Sequence, residues 1–192
     1  MKSKAIVAAA FISLISLSVT AEEDAKKYSV ILKTGSYSMS TSSQTILARA
    51  VKFDDSASGV FGAEFIWNSN QDVSFGGEVF VHNNDYTASG SPGEASASFI
   101  MFNARKHFME GNFRPFVGAG IGAGSVDLSG SLNGTAGGLA IQVLAGAEYR
   151  VADSVGLYVE YKNMLSADLE DDAGESVDMT GSGVLAGVAI HF

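Results

Sequence analysis

The last twelve residues, Gly181 to Phe192, constrain the fold more than any other part of the sequence. Apolar side chains occupy every second position from Val184 to the terminal Phe192, and the residues between them are mostly small. A period of two places the apolar set on one face of a β-strand. The segment therefore predicts either a lipid-facing wall strand of a closed barrel or the last strand of a soluble sandwich.

The first 21 residues have the three parts of a secretory signal peptide. Lys2 and Lys4 precede an uncharged apolar run of about 15 residues, and Val19-Thr20-Ala21 matches the small-residue cleavage pattern. The apolar run is shorter than the roughly 20 residues that a spanning helix needs. We therefore expect residues 1–21 to be removed on export and residues 22–192 to form one mature domain.

The mature chain is acidic and has no cysteine. The sequence has 12 Lys and Arg against 21 Asp and Glu, and two of the lysines lie in the predicted signal peptide. This balance argues against nucleic-acid binding, which relies on basic groups that neutralise phosphates. Without cysteine the exported domain has no disulfides, so its stability must come from the fold.

Eight apolar segments of about ten residues recur after the signal peptide. Their side chains alternate between apolar and polar or small, and their β-branched, aromatic and glycine content opposes helix. None approaches the roughly 18 apolar residues of a transmembrane helix. The segments are 28–39, 58–68, 73–84, 96–107, 113–126, 137–150, 154–165 and 181–192.

The connections between these segments alternate in length. Residues 68–72, 108–112 and 151–153 are short, whereas 40–57, 85–95, 127–136 and 166–180 are long. In an antiparallel barrel alternate connections lie at opposite ends, so all the short turns would share one end, as in transmembrane barrels. The sequence thus predicts an all-β protein, an eight-stranded antiparallel up-and-down transmembrane β-barrel after an N-terminal signal peptide.

Charged residues within the segments fall opposite the cleaner apolar face of their own strand. A lipid-facing surface must be uncharged, so we expect these side chains in the lumen, forming ion pairs. Arg114 and Glu148 are expected to pair near one end, and the small lumen of eight strands is expected to be plugged. The lumen candidates are Lys33, Glu64, Glu78, Arg114, Glu148, Glu160 and Lys162. The facing of the fourth segment stays open, because residues 99–102 are all apolar.

Two further patterns fit a narrow barrel. Four glycines, at 118, 120, 122 and 124, occupy one face of the fifth segment, where a narrow interior leaves little room for side chains. Aromatic residues lie at strand ends on outward positions, as expected of an interfacial girdle. The predicted rim aromatics are Tyr28, Trp67, Phe113, Tyr149 and Phe192.

The sequence predicts no catalytic, cofactor or metal site. The histidines His82, His107 and His191 lack a metal-ligand spacing, and His82, the one candidate base, has no evident nucleophile to activate. The acidic residues of segment 166–180 could bind divalent cations, but they lack an EF-hand spacing and more simply form a solvated loop. These acids are Asp168, Glu170, Asp171, Asp172, Glu175 and Asp178.

Three stretches carry a family resemblance: the signal peptide ending Val19-Thr20-Ala21, residues 114–122 (RPFVGAGIG) and residues 146–150 (GAEYR). With them the chain resembles the OmpA-like and opacity-type small outer-membrane barrels of Gram-negative bacteria, in their barrel domain only. The resemblance implies an outer-membrane location, contact with lipid and lipopolysaccharide, and insertion by the β-barrel assembly machinery, which reads a terminal strand ending on an aromatic such as Phe192. It is specific for architecture and weak for function.

Three functions remain open at this point. We expect a monomeric, non-enzymatic outer-membrane protein with a structural or surface-interaction role through four external loops and no cofactor. A narrow porin for small solutes is the second possibility. A soluble exported barrel that binds an apolar ligand, like a lipocalin, is the third.

Overall fold

The computed structural model describes residues 27–40, 43–46, 49–53, 58–69, 72–166, 168–171 and 176–192. The predicted signal peptide lies outside these ranges. In the described ranges no helix is long and apolar enough to cross a membrane. The strands of the described residues are β1 Tyr28–Met39, β2 Ser43–Ile46, β3 Arg49–Phe53, β4 Ser58–Asn68, β5 Val73–Ala88, β6 Ser91–His107, β7 Phe113–Gly130, β8 Gly134–Ala152, β9 Val155–Ser166, β10 Asp168–Asp171, β11 Ser176–Asp178 and β12 Gly181–His191.

Eight of these described strands close into an antiparallel barrel in the order β1, β4, β5, β6, β7, β8, β9, β12. The barrel closes where β12 pairs with β1 from Met39↔Gly181 to Ser29↔His191. Beyond that ladder the backbone N–H of Tyr28 donates to Phe192 O at 3.0 Å, and the N–H of Phe192 donates to Tyr28 O at 2.9 Å. The predicted fold is therefore confirmed, with the terminal strand as the eighth wall strand.

The strands are staggered around the barrel. Following paired residues once around the wall leads from Tyr28 to Ser38, ten residues further along β1. Such a stagger accompanies the strand tilt that closes a barrel, and eight strands leave an interior just wide enough to be filled by side chains.

Two of the four predicted long loops, 85–95 and 127–136, are wrong because the flanking strands continue through most of them. β5 and β6 continue to a two-residue turn at Ser89 and Gly90, with φ of 51° and 84°, the positive values that a tight mirror-image hairpin requires. β7 and β8 likewise continue to a turn at 131–133. The apolar alternation stops at about Asn83, but the backbone pairing runs on to Ala88. Residues predicted as loops at 85–95 and 127–136 are thus mostly strand.

The other two long connections contain short hairpins. In the described part of 40–57, β2 pairs with β3, and β3 extends the wall by pairing with β5. In the described part of 166–180, β10 pairs with β11 and with β8. We call this end of the barrel the hairpin end. The opposite end, with the connections after β4, β6 and β8, is the short-turn end.

The apolar face of the wall points outward. Ile100 is 69% exposed and Leu139 is 71% exposed, and the other strands present Phe, Val, Leu and Ile in the same way. A soluble barrel would bury this set and turn its charges to water. In β6, Ile100 and Phe102 face out whereas Phe99 and Met101 are buried, which resolves the facing that the sequence left open.

The glycines of β7 make room for the side chains of β6. A Cβ atom built at Gly120 would collide with Oδ1 of Asn103, and one at Gly122 would lie 2.7 Å from Sδ of Met101. The lumen side chains of β6 therefore lie over the bare backbone of β7. This is the physical reason for the glycine row that the sequence showed.

Buried apolar side chains form one cluster toward each end of the lumen. The smaller cluster lies toward the short-turn end and consists of Ile31, Ile66, Phe116, Leu144, Tyr158 and Ala189. The larger cluster lies toward the hairpin end and includes Tyr37, Phe80, Phe99 and Met101. The short hairpins add Ile46, Val51, Phe53, Leu169 and Val177 to it. The two hairpins thus contribute to an apolar cap over the lumen.

Candidate functional site

A network of charged side chains crosses the lumen between the two apolar clusters. Its members come from β1, β4, β5, β6 and β9, and none is more than 2% exposed. They are three cations and three carboxylates among the described residues: Lys33, Arg105, Lys162, Glu64, Glu78 and Glu160.

Arg105 and Lys33 hold Glu64 and Glu160 together. The Arg105 guanidinium donates to both carboxylate oxygens of Glu64 at 2.6 Å and to Oε2 of Glu160 at 3.1 Å. Nζ of Lys33 lies 2.9 Å from both Glu64 and Glu160. The hydroxyl of Tyr158 donates to Oε2 of Glu160 at 2.6 Å. A forked arginine–carboxylate contact is among the strongest and most directional of protein hydrogen bonds.

Glu78 is bound by two lysines and two amides. Nζ of Lys33 lies 2.8 Å from Oε1 of Glu78, and Lys162 donates to the same oxygen. Asn103 and Gln142 each donate to Oε2 at 3.0 Å. The carboxylate therefore has partners on both oxygens, which a buried charge requires.

The network has no net formal charge. Burying an isolated ion costs several kcal/mol, and only close opposite charges with satisfied hydrogen bonds offset that cost. Two of the cations also make cation–π contacts. Nζ of Lys162 lies 4.0 Å from the ring centre of Phe80, and the Arg105 guanidinium lies 5.3 Å from the ring centre of Phe116.

Sequence reasoning missed Arg105. Five of the seven predicted lumen residues, namely Lys33, Glu64, Glu78, Glu160 and Lys162, lie in this network. Arg105 escaped because residues 99–102 of β6 are all apolar, which left the facing of this strand undecided. Its signal was the adjacent pair Arg105–Lys106: in an alternating strand one of the two must face inward. Arg105 does, whereas Lys106 is exposed and pairs with Asp72.

Lys106, the neighbour of Arg105, forms an ion pair with Asp72 on the outer surface of the barrel. Their contact is 2.5 Å, and about half of each side chain is exposed. The Lys106 ammonium holds the pKa of the Asp72 carboxyl below its usual value through its hydrogen bond and charge. Because both groups are solvated, this pair adds little to stability.

The remaining predicted pair lies at the short-turn end. Arg114 faces Glu148 directly across the β7–β8 ladder, and both side chains are buried. Oε1 of Glu148 lies 2.8 Å from Nε2 of His191 and 3.3 Å from Nε of Arg150. Sequence reasoning did not anticipate that His191 and Arg150 reach this carboxylate, and the ion pair between Arg114 and Glu148 stays a prediction.

His191 connects Glu148 to the barrel seam. Its Nδ1 lies 2.8 Å from Oγ of Ser29, its register partner on β1. Serine, histidine and carboxylate thus form a chain of the composition that serine hydrolases use. Ser29 is only 3% exposed, however, and Asn68 also donates to its hydroxyl at 3.4 Å. The chain joins β1, β12 and β8 at the point where the barrel closes.

The other two histidines are buried in the wall. Nε2 of His107 lies 3.0 Å from Oγ of Ser74. The ring of His82 packs against Tyr37, with centroids 4.6 Å apart, and against Phe99 at 6.0 Å. His82 is therefore part of the packing at the hairpin end, where its burial keeps it from an incoming substrate.

The predicted rim aromatics lie on the outer face near the short-turn end. Tyr28, Trp67, Phe113 and Tyr149 are exposed and Phe192 is half-buried. The ring of Tyr28 lies 5.7 Å from that of Phe65 and 6.2 Å from that of Phe192. Their role as a membrane girdle stays a prediction.

The acidic segment 166–180 folds in part as the β10–β11 hairpin. Asp168 is the register partner of Asp178, whose Oδ1 accepts a hydrogen bond from the backbone N–H of Thr180 at 2.8 Å. Asp172 and Glu175 lie outside the described residues. Where the chain is described, no group of three or more acidic or histidine side chains is placed to hold a metal ion.

Several solved barrels share this architecture. The neisserial surface protein NspA is 21% identical, with 86% of this chain and 96% of that chain covered and a TM-score of 0.58. OprG of Pseudomonas aeruginosa is 13% identical, covering 88% and 97% with a TM-score of 0.59. Ail of Yersinia pestis, solved with the heparin analogue sucrose octasulfate, is 13% identical, covering 86% and 97% with a TM-score of 0.54. At these identities the likeness shows the fold alone.

Sequence comparison extends the assignment from fold to family. No curated protein sequence matches the chain. Residues 7–192, nearly the whole chain, match the outer membrane protein beta-barrel domain. The outward apolar wall and the buried charges are what such a domain needs to sit in lipid. The chain therefore belongs to the outer membrane protein β-barrel domain family of the Gram-negative envelope.

Proposed function

We propose that the protein is a non-enzymatic outer-membrane barrel with a closed lumen, whose role is structural or lies in surface interaction at the hairpin end. The observation that carries this is the neutral network of Lys33, Arg105, Lys162 and the three glutamates. It spans the lumen with paired groups, so a passing solute would have to break buried ion pairs. Removing one partner from such a pair costs about 3–5 kcal/mol.

The apolar cap supports closure from the hairpin end. The Tyr86 hydroxyl donates to Ser129 O at 3.0 Å and accepts from the Leu132 N–H at 3.1 Å, which ties the 131–133 turn over the mouth. The Tyr37 hydroxyl donates to Met179 O at 2.9 Å, which holds the segment after β11 in the same way.

The hairpin end is proposed to face the outside of the cell. Outer-membrane barrels place short turns in the periplasm and longer extensions outside. The chain has no cysteine, so single-cysteine labelling tests this orientation directly. A membrane-impermeant maleimide should label Ser89→Cys in intact cells, and Asp153→Cys in the β8–β9 turn only after permeabilisation. The reverse pattern would overturn the orientation.

The four chain segments at the hairpin end are strongly acidic. Residues 40–57, 85–95, 127–136 and 166–180 contain eleven Asp and Glu against Arg49 and Lys52. This charge favours cationic partners and opposes polyanions at the surface. The proposed surface role therefore differs in partner chemistry from the binding of a heparin analogue by Ail.

Transport is the competing function. A narrow porin would pass small sugars and amino acids, and liposome swelling with these solutes measures that passage. The closed lumen predicts swelling no faster than with protein-free liposomes, whereas size-dependent swelling would favour the porin.

Assembly is proposed to follow the family route. The signal peptide is cleaved after Ala21, the machinery that inserts barrels reads the end of β12, and the product sits in lipid and lipopolysaccharide as a monomer. N-terminal sequencing of the mature protein should begin at Glu22. Deleting Phe192 should lower the inserted fraction in cells more than it weakens the folded barrel. Normal insertion of the deletion variant would contradict this reading of β12.

A further inference from the structure

Polar side chains line the mouth of the lumen at the short-turn end, and their charges do not balance. Arg114 and Arg150 are cations, and Glu148 is the one carboxylate among the described side chains of this cluster. Asp72 lies at the same end but is exposed and pairs with Lys106. Unlike the central network, the mouth therefore has an excess of positive charge. The cluster consists of Ser29, Ser74, His107, Arg114, Glu148, Arg150 and His191, all buried except Arg150.

The register of β6, β7 and β8 brings three nitrogen-bearing side chains together. Arg114 is the register partner of Glu148, and Arg150 lies two residues further along the same face of β8. His107 on β6 pairs with Phe116, two residues beyond Arg114. Such diagonal neighbours have Cα atoms about 7–8 Å apart. The two guanidinium groups and the imidazole can therefore converge on one small anion.

The carboxylate of Glu148 is held on the side away from Arg114. A Cβ atom built at Gly156 on β9 would lie 2.8 Å from Oε1 of Glu148, so this side chain lies over β9. The same oxygen is 2.8 Å from Nε2 of His191 and 3.3 Å from Nε of Arg150. Arg114 lies on β7, the neighbour of β8 on its other side. Glu148 thus leaves room for a second anion beside Arg114.

His107 contributes a buried nitrogen that lacks a partner. The residue is only 6% exposed. Its Nε2 lies 3.0 Å from Oγ of Ser74, whereas Nδ1 has no hydrogen-bond partner. Leaving a buried polar atom unsatisfied costs free energy, and a bound water or ion commonly satisfies it. If Nε2 accepts from Ser74, Nδ1–H is free to donate to an oxyanion.

The depth of the site favours a small ligand that enters from the short-turn end. The side chain of Arg150 is 32% exposed, whereas Arg114 and His107 are buried, so a polymer cannot reach all three. The forked N–H groups of arginine match the oxygens of phosphate. Phe113 and Tyr149, the next register pair toward the rim, are exposed on the outer face. If they mark the headgroup level as predicted, phospholipid phosphates lie at the same height.

We propose that Arg114, Arg150 and His107 bind a phosphate group at the mouth of the short-turn end. The group is either free inorganic phosphate or the headgroup phosphate of a phospholipid in the adjacent leaflet. It neutralises the excess charge and accepts a hydrogen bond from Nδ1 of His107. The smaller apolar cluster lies between this site and the central network, so the inference does not depend on whether the lumen is closed.

Calorimetric titration of the folded protein with inorganic phosphate, in a detergent without phosphate, tests the site. Binding should be saturable. Arg114→Gln and Arg150→Gln should each weaken it by about tenfold or more, as expected when a charge-assisted hydrogen bond is lost. Lys106→Gln removes a nearby cation on the outer surface and is the matched control, which should bind like the parent. Arg150→Gln, at the half-exposed position, keeps the test valid if Arg114→Gln does not fold.

Phosphorus NMR in phospholipid nanodiscs distinguishes the two sources. A lipid resonance that shifts with the parent protein, but not with Arg150→Gln, would assign the site to a headgroup. Continued binding of inorganic phosphate in nanodiscs would assign it to the free anion.

Three outcomes would overturn the proposal. Neither phosphate source could bind. Binding could be equally strong in both arginine variants. Binding could also appear only after Glu22→Gln, Glu23→Gln and Asp24→Asn are combined, which would show that the acidic segment before β1 is the occupant.

Discussion

Glu64 and Glu78 stand directly opposite each other across the β4–β5 ladder, so two carboxylates share one level of the lumen. Like charges in register destabilise a sheet. Here Lys33 contacts both, at 2.9 Å and 2.8 Å, while Asn103 donates to each. The pair is stable only as part of the whole network, so the network is sensitive to the loss of any cation.

Arg105→Met should be the most damaging single change in the lumen. It leaves Glu64 without its forked partner in a buried site and gives the network a net negative charge. We expect a loss of about 3–5 kcal/mol in the free energy of unfolding, measured by urea titration of the protein in lipid vesicles.

Lys106→Met is the matched control for that experiment. It removes the neighbouring cation, which lies on the outer surface beside Asp72, and should leave the unfolding midpoint almost unchanged. Equal losses in the two variants would contradict the assignment of Arg105 to the structural network. The double variant Glu64→Gln with Arg105→Met should recover part of the loss, because both charges are then removed together.

The glycine row gives a steric prediction. Gly120→Val places a branched side chain against Asn103. We expect it to lower the free energy of unfolding by about 1–3 kcal/mol or more, as overpacking of a protein interior typically does. Ala119→Val, one residue earlier, points outward to lipid and should be tolerated. The yield of folded protein, read from heat-dependent gel mobility, distinguishes the two. Tolerance of both variants would show that the lumen beside β7 has spare room.

The Ser29–His191–Glu148 chain is expected to be structural. Ser29 is too buried to meet a substrate carbonyl, so a fluorophosphonate probe should not label the folded protein. Ser29→Ala should instead lower the free energy of unfolding modestly, by about 1 kcal/mol or less, since one buried hydrogen bond at the seam is lost. Probe labelling that disappears in Ser29→Ala would establish a hydrolase and refute this account.

The acidic exterior predicts poor binding to polyanions. Immobilised heparin should not retain this protein at low salt, because like charges repel. Retention would require a basic surface that the acidic segments at the hairpin end do not supply.

The sequence predicted the wall strands well because lipid imposes a strict alternation. In β12, Val184, Val188 and Ile190 are exposed while Leu185 and Ala189 are buried, as their period of two requires. Alternation did not predict the ends of the strands that extend past the lipid-facing surface toward the hairpin end. From Asn83 to Thr87 both faces of β5 carry polar residues, so hydropathy no longer marks a strand, although backbone pairing continues to Ala88.

The lumen partners were harder to predict than the lumen residues. Whether a side chain points into the lumen follows from its odd or even position in its own strand. The contact of Lys33 with Glu160, in contrast, depends on how the strands are staggered around the barrel. His191 and Glu148 lie on strands that are separated by β9, and they meet over the bare backbone of Gly156 in that strand. Such contacts require the closed three-dimensional register, which no local pattern contains.

Single-channel recording across planar bilayers tests the central claim most directly. The proposed closed lumen predicts that the purified, folded protein inserts without producing a stable conductance at neutral pH. A steady channel that is present in every insertion would contradict the closed lumen and establish the protein as a pore.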